Sequence, residues 1–481
     1  MPAGHKDARV SRSGRAVDSS VDGRVNRELR PRRWRSWRLE GPSVAVHASV
    51  VLCLLAGDAR AATVPAEPKM PANLTLAEAV RIFRSRGLDL LIADAQVQVA
   101  AGEARAAAAV PNPTIAAGFS RSFFHSGLYE TPNGWTVGIG DSSAIEDTLS
   151  GKRGLRSAAG EAAVSAARLQ RADAQRLLEA QLKQQYFQAL VASAALVFAG
   201  GVAESTGRTL ELIRVRYGHG AVSEVDVAKA ETAKLEADHA VERAAEALRL
   251  AKIAIQFLLG SRAAFVDFAL DADYLRFVTP PALADATVDK LIQRAFDARP
   301  DLGAQGRQRD RASRLLRLEE RARLPDITVG VQYQQQGSGE TAPGAPSGIT
   351  PPTLAFAISA TLPVFHQHQG EIQKARAEVD LQEIQLARVR SEIVADVEAA
   401  FSAYRTSGAL VQRTQDRLLE RATRARELVA LQYQKGAASL LELLDAERTY
   451  IAVNGEYLQD LASYWNAVCQ LEAATATELL P

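Results

Sequence analysis

Two carboxylates near the carboxyl end of the chain are spaced so that they share one face of a helix. Glu442 and Asp445 are three residues apart, and residues at this spacing are neighbours on a helix surface. Around the axis of an oligomer, such a pair would form rings of carboxylates, which select and hold cations and can gate a pore. The pair therefore suggests ion selection rather than bond-breaking chemistry.

The remaining motifs give no support to catalysis. The sequence contains no Walker lysine loop, no nucleophile elbow and no HExxH pattern, each of which carries a particular reaction. His366 and His368 form an H-x-H pattern, but two histidines without further ligands are typical of a surface. We expect no enzyme activity, no catalytic residue, no cofactor and no metal site.

The acidic pair belongs to a motif that the chain contains twice. Tyr217–Glu231 reads YGHGAVSEVDVAKAE, and Tyr433–Glu447 reads YQKGAASLLELLDAE, 216 residues later. Asp226 in the first copy matches Glu442 in the second. The identical pairs are Tyr217/Tyr433, Gly220/Gly436, Ala221/Ala437, Ser223/Ser439, Ala230/Ala446 and Glu231/Glu447.

This motif predicts the bend of a helical hairpin. Gly220 and Gly436 suit the left-handed turn that closes a helix. Ser223 and Ser439 suit the N-cap of the returning helix, and the acid three residues later completes a capping-box spacing in each copy. Capping accounts for the glycines and serines and could account for those acids, but it does not explain Asp445.

The duplication extends over the whole chain. NPTIAAGF, starting at Asn112, is matched by LPDITVGVQY, starting at Leu324. A period near 200 residues is too long for a solenoid, so we predict a duplicated half-protein. Its parts are a basic extension and signal peptide over 1–61, a first repeat over 62–279 and a second repeat over 280–481.

Residues 1–61 differ from the rest in composition. A basic stretch precedes the apolar run Ser43–Ala56 and an A-x-A site at Ala59–Ala61, which together predict secretion. The long basic stretch indicates either a start codon assigned too early, which we favour, or a nucleic-acid-binding arm. The complete chain has a net charge of only +1, so we expect no nucleic-acid partner for the body of the protein.

Each repeat contains two segments in which apolar residues alternate with small or polar ones. They lie at about 113–124 and 134–140 in the first repeat, and at about 325–336 and 352–362 in the second. This alternation is typical of strands with one face in lipid and the other in water. Half-buried hairpins of a soluble protein show the same alternation, and the pattern alone does not separate the two.

Long helices are predicted after each pair of strands. Proline is absent from Asn133 to Thr279 and from Val364 to Leu480, which favours uninterrupted helices. We predict helical hairpins over about 152–260, with a tip at 217–226, and over about 368–475, with a tip at 433–445. No run of 18 uncharged apolar residues follows the leader, so we expect no membrane-spanning helix.

With this order of elements, the chain resembles the TolC family of outer-membrane efflux proteins. The resemblance covers nearly all of 74–474 and rests on TLAEAV at Thr75–Val80, the two tip motifs and the duplication. Four strands cannot close a membrane barrel, since the smallest have about eight. The resemblance implies a mixed α/β membrane protein of duplicated helix–β-hairpin–long helical hairpin plan, forming a trimeric 12-stranded β-barrel continued by a long α-helical barrel.

The resemblance also implies partners and site residues. A homotrimer in outer-membrane lipid would serve an inner-membrane RND-type pump through a periplasmic adaptor. Glu442 and Asp445 resemble the family's constriction acids, and Asp226 resembles a tip acid of the closed state, although Ala438 stands where its arginine partner is expected. The residues implied in adaptor docking are Gly220, Ala221, Ser223, Gly436, Ala437 and Ser439.

The cargo and one rival class remain open at this point. SGKRGLR at Ser150–Arg156 and LPVFHQHQGEI at Leu362–Ile372 resemble the branch that serves cobalt–zinc–cadmium exporters, which implies heavy-metal cations. The same duct could instead carry drugs, other organic compounds or a secreted polypeptide. The rival class is an exported periplasmic coiled-coil scaffold whose hairpins are soluble.

Overall fold

The computed structural model describes residues 66–121, 133–272, 275–336 and 351–479. The predicted leader therefore lies outside the described residues, as do the end of the first predicted strand and most of the Gly/Pro-rich loop after the third. The described part consists mainly of helices, with one four-stranded sheet and one two-stranded parallel pairing.

The two halves share a succession of two helices, two strands and a long helical hairpin, and the first half adds two short strands and a short helix. The elements of the first half are β1 (Asn73–Leu74), α1 (Leu76–Arg86), α2 (Leu88–Ala108), β2 (Thr114–Arg121), β3 (Asn133–Gly140), α3 (Ala144–Leu149), α4 (Lys152–Gly218), α5 (Glu224–Leu258) and β4 (Ala269–Leu270). Those of the second half are α6 (Val288–Ala298), α7 (Pro300–Arg321), β5 (Asp326–Gln336), β6 (Thr353–Thr361), α8 (Gln369–Arg413), a π-helical turn (Thr414–Leu419), α9 (Glu420–Gln434) and α10 (Leu440–Thr475).

The longest helix is α4, whose 67 residues span about 100 Å at the helical rise per residue. In the second half, α8, the π-helical turn and α9 follow one another without a break. Within the π-helical turn, the Thr414 hydroxyl donates a hydrogen bond to the Asp460 carboxylate of α10 at 2.8 Å. Each outgoing helix returns through a tight bend, into α5 in the first half and α10 in the second.

The two β-hairpins combine into one antiparallel sheet in the order β2-β3-β5-β6. Apolar residues lie beside one another on adjacent strands: Ile115 pairs with Ile139, and Val331 pairs with both Ile139 and Phe356. On the other face, the hydroxyls of Thr328 and Ser359 are 3.1 Å apart. The alternation predicted from the sequence is therefore present as one apolar and one polar or small face.

Neither face of this sheet is covered by the rest of the described chain. Every residue of β2 and β6 is exposed, and Ile115, Phe356 and Ile358 keep at least three quarters of their surface accessible. Strands β2 and β6 each pair on one side only. An isolated sheet of this kind needs other surfaces to stabilise it.

The helices pack around three apolar clusters. The largest lies where α4 and α10 cross: the rings of Phe187 and Trp465 stack with centroids 4.6 Å apart, and the Tyr464 hydroxyl donates to the carbonyl of Val278 at 2.9 Å. A second cluster joins α6, α8 and α10. The third joins the two helical bends.

One helix bears on the expectation that no helix of the chain spans a membrane. By length and composition, one stretch of α4 is apolar enough to do so. Part of the reason is packing, because Tyr186, Phe187 and Leu190 of this helix are almost wholly buried in the largest cluster. The prediction was made from unbroken apolar runs, whereas average hydropathy over 18 residues is a looser criterion that the core helix of a soluble protein also meets.

A buried lysine joins the sheet to α4. The Lys152 ammonium contacts the Asp326 carboxylate at 2.7 Å and the Glu146 carboxylate at 3.1 Å, and its side chain is only 7% exposed. Burial by itself would lower the pKa of Lys152, but the hydrogen bonds to the two carboxylates outweigh burial and raise that pKa. The lysine therefore stays charged and fixes the start of α4 against β5.

We expect Lys152→Met to lower the free energy of unfolding by about 3 kcal/mol, because it leaves the buried Glu146 carboxylate without its cation. The matched control is Lys234→Met, which removes a more exposed ion pair with Asp238 and should cost less than about 1 kcal/mol. Thermal unfolding followed by circular dichroism in detergent measures both. Equal losses in the two variants would contradict the role given to Lys152.

Candidate functional site

The two helical bends have the same backbone geometry. Gly220 and Gly436 adopt φ of 69° and 76°, in the left-handed region that favours glycine. The amide of Ala221 donates to the carbonyl of Arg216 at 2.9 Å, and the amide of Ala437 donates to that of Gln432 at 2.8 Å. These bonds close a Schellman motif at each bend, so the predicted helix ends are confirmed.

Both returning helices begin with a complete capping box. Ser439 accepts from the amide of Glu442 at 3.2 Å, and the Glu442 carboxylate accepts from the amide of Ser439 at 2.7 Å. Ser223 and Asp226 repeat the arrangement at the start of α5. The predicted capping role of these two acids is thereby confirmed.

The capping bonds keep the two acids ionised. Hydrogen bonds from the Ser439 amide and then the Ser439 hydroxyl lower the pKa of Glu442 below its usual value. The Ser223 hydroxyl and then its amide do the same for the pKa of Asp226. Because both pKa values are lowered, the capping contribution is fully present above the unfolded pKa and is lost only as pH falls through the folded one.

The second acid of the pair is placed differently. Asp445 is exposed on the first turns of α10, and within the part of the chain that the structure describes its carboxylate takes part in no hydrogen bond or ion pair. Glu442 is exposed as well, and only one of its carboxylate oxygens serves the cap. Two negative charges are therefore presented to solvent one helical turn apart.

An apolar cluster holds the two bends together. It consists of buried side chains from both halves of the chain: Leu210, Ile213, Ala230, Tyr433, Leu440 and Leu443. Ala438, at the position where the resemblance expects an arginine, packs against this cluster. The Asp226 carboxylate is engaged by Ser223 instead.

A different arginine connects the bends. The Arg216 guanidinium lies 4.8 Å from the centre of the Tyr433 ring, and it donates to the carbonyl of Gln434 at 3.2 Å. Arg216 lies in the last turn of α4 and Gln434 is the last residue of α9, so this contact connects the first bend to the second. A positive side chain at the carboxyl end of α9 also complements the helix dipole.

The repeated glutamates form ion pairs within each hairpin. Glu231 accepts from Arg214 at 2.7 Å, and Glu447 accepts from Arg426 at 3.1 Å. Sequence reasoning missed these pairs and the Arg216 contact. The identity of Glu231 and Glu447 was a usable signal, but the arginines precede them by different spacings, 17 and 21 residues, so no repeated pattern marks the partners.

The six residues implied in docking are all exposed around the two bends: Gly220, Ala221, Ser223, Gly436, Ala437 and Ser439. The structure brings them together with Asp226, Glu442 and Asp445 at one end of the helices, far along α4 from the sheet. A surface of this kind can bind a protein partner or cations. It offers small side chains and carboxylates.

We expect Ser439→Ala to destabilise the start of α10 by about 1 kcal/mol, because it removes the side-chain acceptor of the capping box. Amide hydrogen exchange in the peptide covering the first two turns should accelerate about fivefold. The control on the same helix is Ser463→Ala, an exposed interior position where alanine is the better helix former. Equal exchange at the bend in wild type and Ser439→Ala would contradict the role of the cap.

Comparison with known proteins agrees with this architecture. The family model described as outer membrane efflux protein matches residues 80–261 and 291–477, so well over half of the chain is covered, in two segments. It is a family of transport proteins rather than enzymes. The solved structure of CusC, described in connection with transmembrane channel formation, superposes with a TM-score of 0.68 over 84% of this chain and 92% of its own, at 19% identity.

Two curated relatives are similar in sequence. The cobalt-zinc-cadmium resistance protein CzcC of Cupriavidus metallidurans is 23% identical over 86% of this chain and 93% of its own length. The pyoverdine export outer membrane protein OpmQ of Pseudomonas putida is 27% identical over 62% of this chain and 61% of its own. The resemblance read from the sequence is confirmed, and the chain belongs to the outer membrane efflux protein family.

Proposed function

We propose that three copies of this chain form a passive exit duct through the outer membrane, fed by an inner-membrane pump through a periplasmic adaptor. The observation that carries the proposal is the uncovered sheet. Its apolar face, with Ile115, Phe356 and Ile358 at least three quarters exposed, suits lipid, and its face of small and polar residues suits water.

The number of strands and their free edges support an assembly. Four strands fall short of the eight or so that the smallest membrane barrels need. Within the described chain, β2 and β6 each have one unpaired edge, and β6 of one copy can pair with β2 of the next. Three copies supply 12 strands and leave no edge open, which lipid requires because it cannot satisfy backbone groups.

The helices extend the duct away from the sheet. In this proposal α4, α5, α8, α9 and α10 form the wall of a periplasmic helical barrel, and the bends form its far end. The exposed residues around Gly220 and Gly436 are the adaptor-docking surface. The energy for transport comes from an RND-type pump, since a duct of this kind only conducts the substrate passively.

The carboxylates at the bends form the constriction. Glu442 and Asp445 from three copies would make two rings of negative charge. The capping box fixes the position of the Glu442 carboxylate, and Asp445 is exposed to solvent. Such rings attract cations and retard their passage. The contact of Arg216 with Gln434 holds the two bends of each chain together at this end.

Heavy-metal cations are the cargo that we propose. The support is the similarity over most of both chains to a cobalt-zinc-cadmium resistance protein and the cation-attracting end of the duct. A second candidate is an organic cargo, favoured by the similarity to a pyoverdine export protein. Deletion of the gene distinguishes the two: greater sensitivity to heavy-metal salts favours the metal cargo, and intracellular accumulation of an organic compound favours the organic cargo.

The duct is tested directly by how the protein is extracted from the membrane and by the mass of the solubilised particle. The mature protein should stay in the membrane during washing with high salt and should require detergent for release. The detergent-solubilised protein should sediment with the mass of three copies. In planar bilayers it should produce a measurable conductance. The physical reason is that the apolar face of the sheet is uncovered in a single copy. A monomer released by salt alone would refute the duct and favour a soluble coiled-coil scaffold.

We expect Glu442→Gln with Asp445→Asn to raise the concentration of lanthanum ion that blocks the conductance by about tenfold or more, because the rings lose their charge. Glutamine keeps the capping-box geometry at the first position, so the bend should stay folded. The control is Glu456→Gln, an exposed acid further along α10. Unchanged block in the double variant would remove both residues from the constriction.

A further inference from the structure

The turn between β6 and α8 brings together two imidazoles and two carboxylates. His366 Nε2 lies 3.3 Å from Glu371 Oε1, and His368 Nδ1 lies 3.4 Å from Glu319 Oε2. One ligand-type atom from each of His366, His368 and Glu371 lies within 4.8 Å of the others. Glu319 comes from the end of α7, so two separate elements contribute to the group.

The two histidine–glutamate distances match the dimensions of a tetrahedral metal site. With metal–nitrogen and metal–oxygen bonds of about 2.0–2.1 Å, two ligand atoms of a tetrahedral zinc ion are about 3.3–3.4 Å apart. Both histidine–glutamate pairs have this separation. Ligand-type atoms of His366, His368 and Glu371 lie within 4.8 Å of one another, so side-chain rotation has to close the remaining gap around one ion.

Two atoms of the group are enclosed without a partner for hydrogen bonding. His368 Nδ1 and Glu371 Oε2 are both shielded from solvent and make no hydrogen bond within the described structure. The Glu319 oxygen near His368 Nδ1 is at ion-pair distance but is not aligned for a hydrogen bond. Polar atoms buried in this way require an explanation, and a shared cation would satisfy both.

The backbone at His368 also argues for a role of its side chain. His368 is the N-cap of α8 with φ of 55°, in the left-handed region that residues other than glycine enter at a cost. At the matching start of α4 the first repeat has Gly151, with φ of 73°. The second repeat therefore keeps an imidazole where glycine would suit the backbone better.

The first repeat shows what a cation does at this place in the fold. There, the Lys152 ammonium holds Glu146 and Asp326 together and joins the start of a long helix to the neighbouring strand. At the second exit, Glu319 and Glu371 face imidazoles instead of an ammonium. A neutral imidazole binds a metal ion through its free nitrogen lone pair.

We propose that His366, His368, Glu371 and Glu319 bind one borderline transition-metal ion per chain, with Zn²⁺ as the typical occupant. The ion would join the end of α7 to the start of α8, as the Lys152 ammonium joins the start of α4 to α3 and β5. Imidazole with carboxylate suits Zn²⁺ better than Mg²⁺, which prefers oxygen ligands and retained water. The inference does not depend on the nature of the cargo.

The proposal departs from the sequence expectation that His366 and His368 are a surface pair without a metal. The H-x-H pattern alone offers two ligands, and Glu319 lies 47 residues earlier in the chain than His366. Glu371 lies only a few residues after the histidines, and the packing of α7 against the turn supplies the second carboxylate, Glu319. The side chain of His366 is 67% exposed, which gives an ion a path into the site.

The test is a calorimetric titration of the detergent-purified mature protein, stripped with EDTA, with Zn²⁺ and separately with Mg²⁺. We expect one Zn²⁺ site per chain and no matching Mg²⁺ site. His366→Gln with His368→Asn should weaken Zn²⁺ binding at least tenfold, and asparagine tolerates the left-handed backbone. The control is His239→Asn, at an exposed position on α5, which should leave binding unchanged.

Glu371→Gln provides a second variant with the turn and both histidines intact, and it should also weaken binding. Replacing Zn²⁺ with Co²⁺ adds a readout of geometry, since tetrahedral Co²⁺ absorbs visible light far more strongly than octahedral Co²⁺. Absence of Zn²⁺ binding, unchanged affinity in the histidine or glutamate variants, or an octahedral Co²⁺ spectrum would each overturn the proposal.

Discussion

The sheet imposes the constraint from which the rest of the molecule follows. It has four antiparallel strands, one apolar face and two open edges. A sheet whose faces are not packed against other elements is not stable by itself in water. Lipid can cover the apolar face, and neighbouring copies can pair the edges. The long helices are then the part that faces the periplasm, and their junctions with the sheet need fixed anchors such as Lys152.

The duplication explains how one chain builds both ends. Each half places a hairpin in the sheet and a helical bend at the far end, and the bends meet through an apolar cluster and the contact of Arg216 with Gln434. The copies differ where specialised chemistry is found. Asp445 has no acidic counterpart in the first repeat, where Lys229 stands three residues after Asp226. The second strand-to-helix exit has imidazoles where the first has a lysine.

The sequence predicts the features that depend on local contacts. Gly220, Gly436 and the two serine caps are recognisable because each signal lies within a few residues, and the side-chain alternation of β2 is recognisable because it reflects one strand. Features made by distant residues were not predictable. Examples are the pairing of β3 with β5, the position of Glu319 beside His368, and the π-helical turn at Thr414, which packs a buried threonine against Asp460.

The central claim is that the apolar face of the sheet lies in lipid, and Trp135 on β3 reports on it directly. Trp135 is 59% exposed, whereas Trp465 is buried in the helical core, so a Trp465→Phe background of the mature chain isolates its fluorescence. In reconstituted membranes the account predicts quenching by lipids brominated on their acyl chains and protection from aqueous iodide. Quenching by iodide with no effect of the brominated lipids would contradict it.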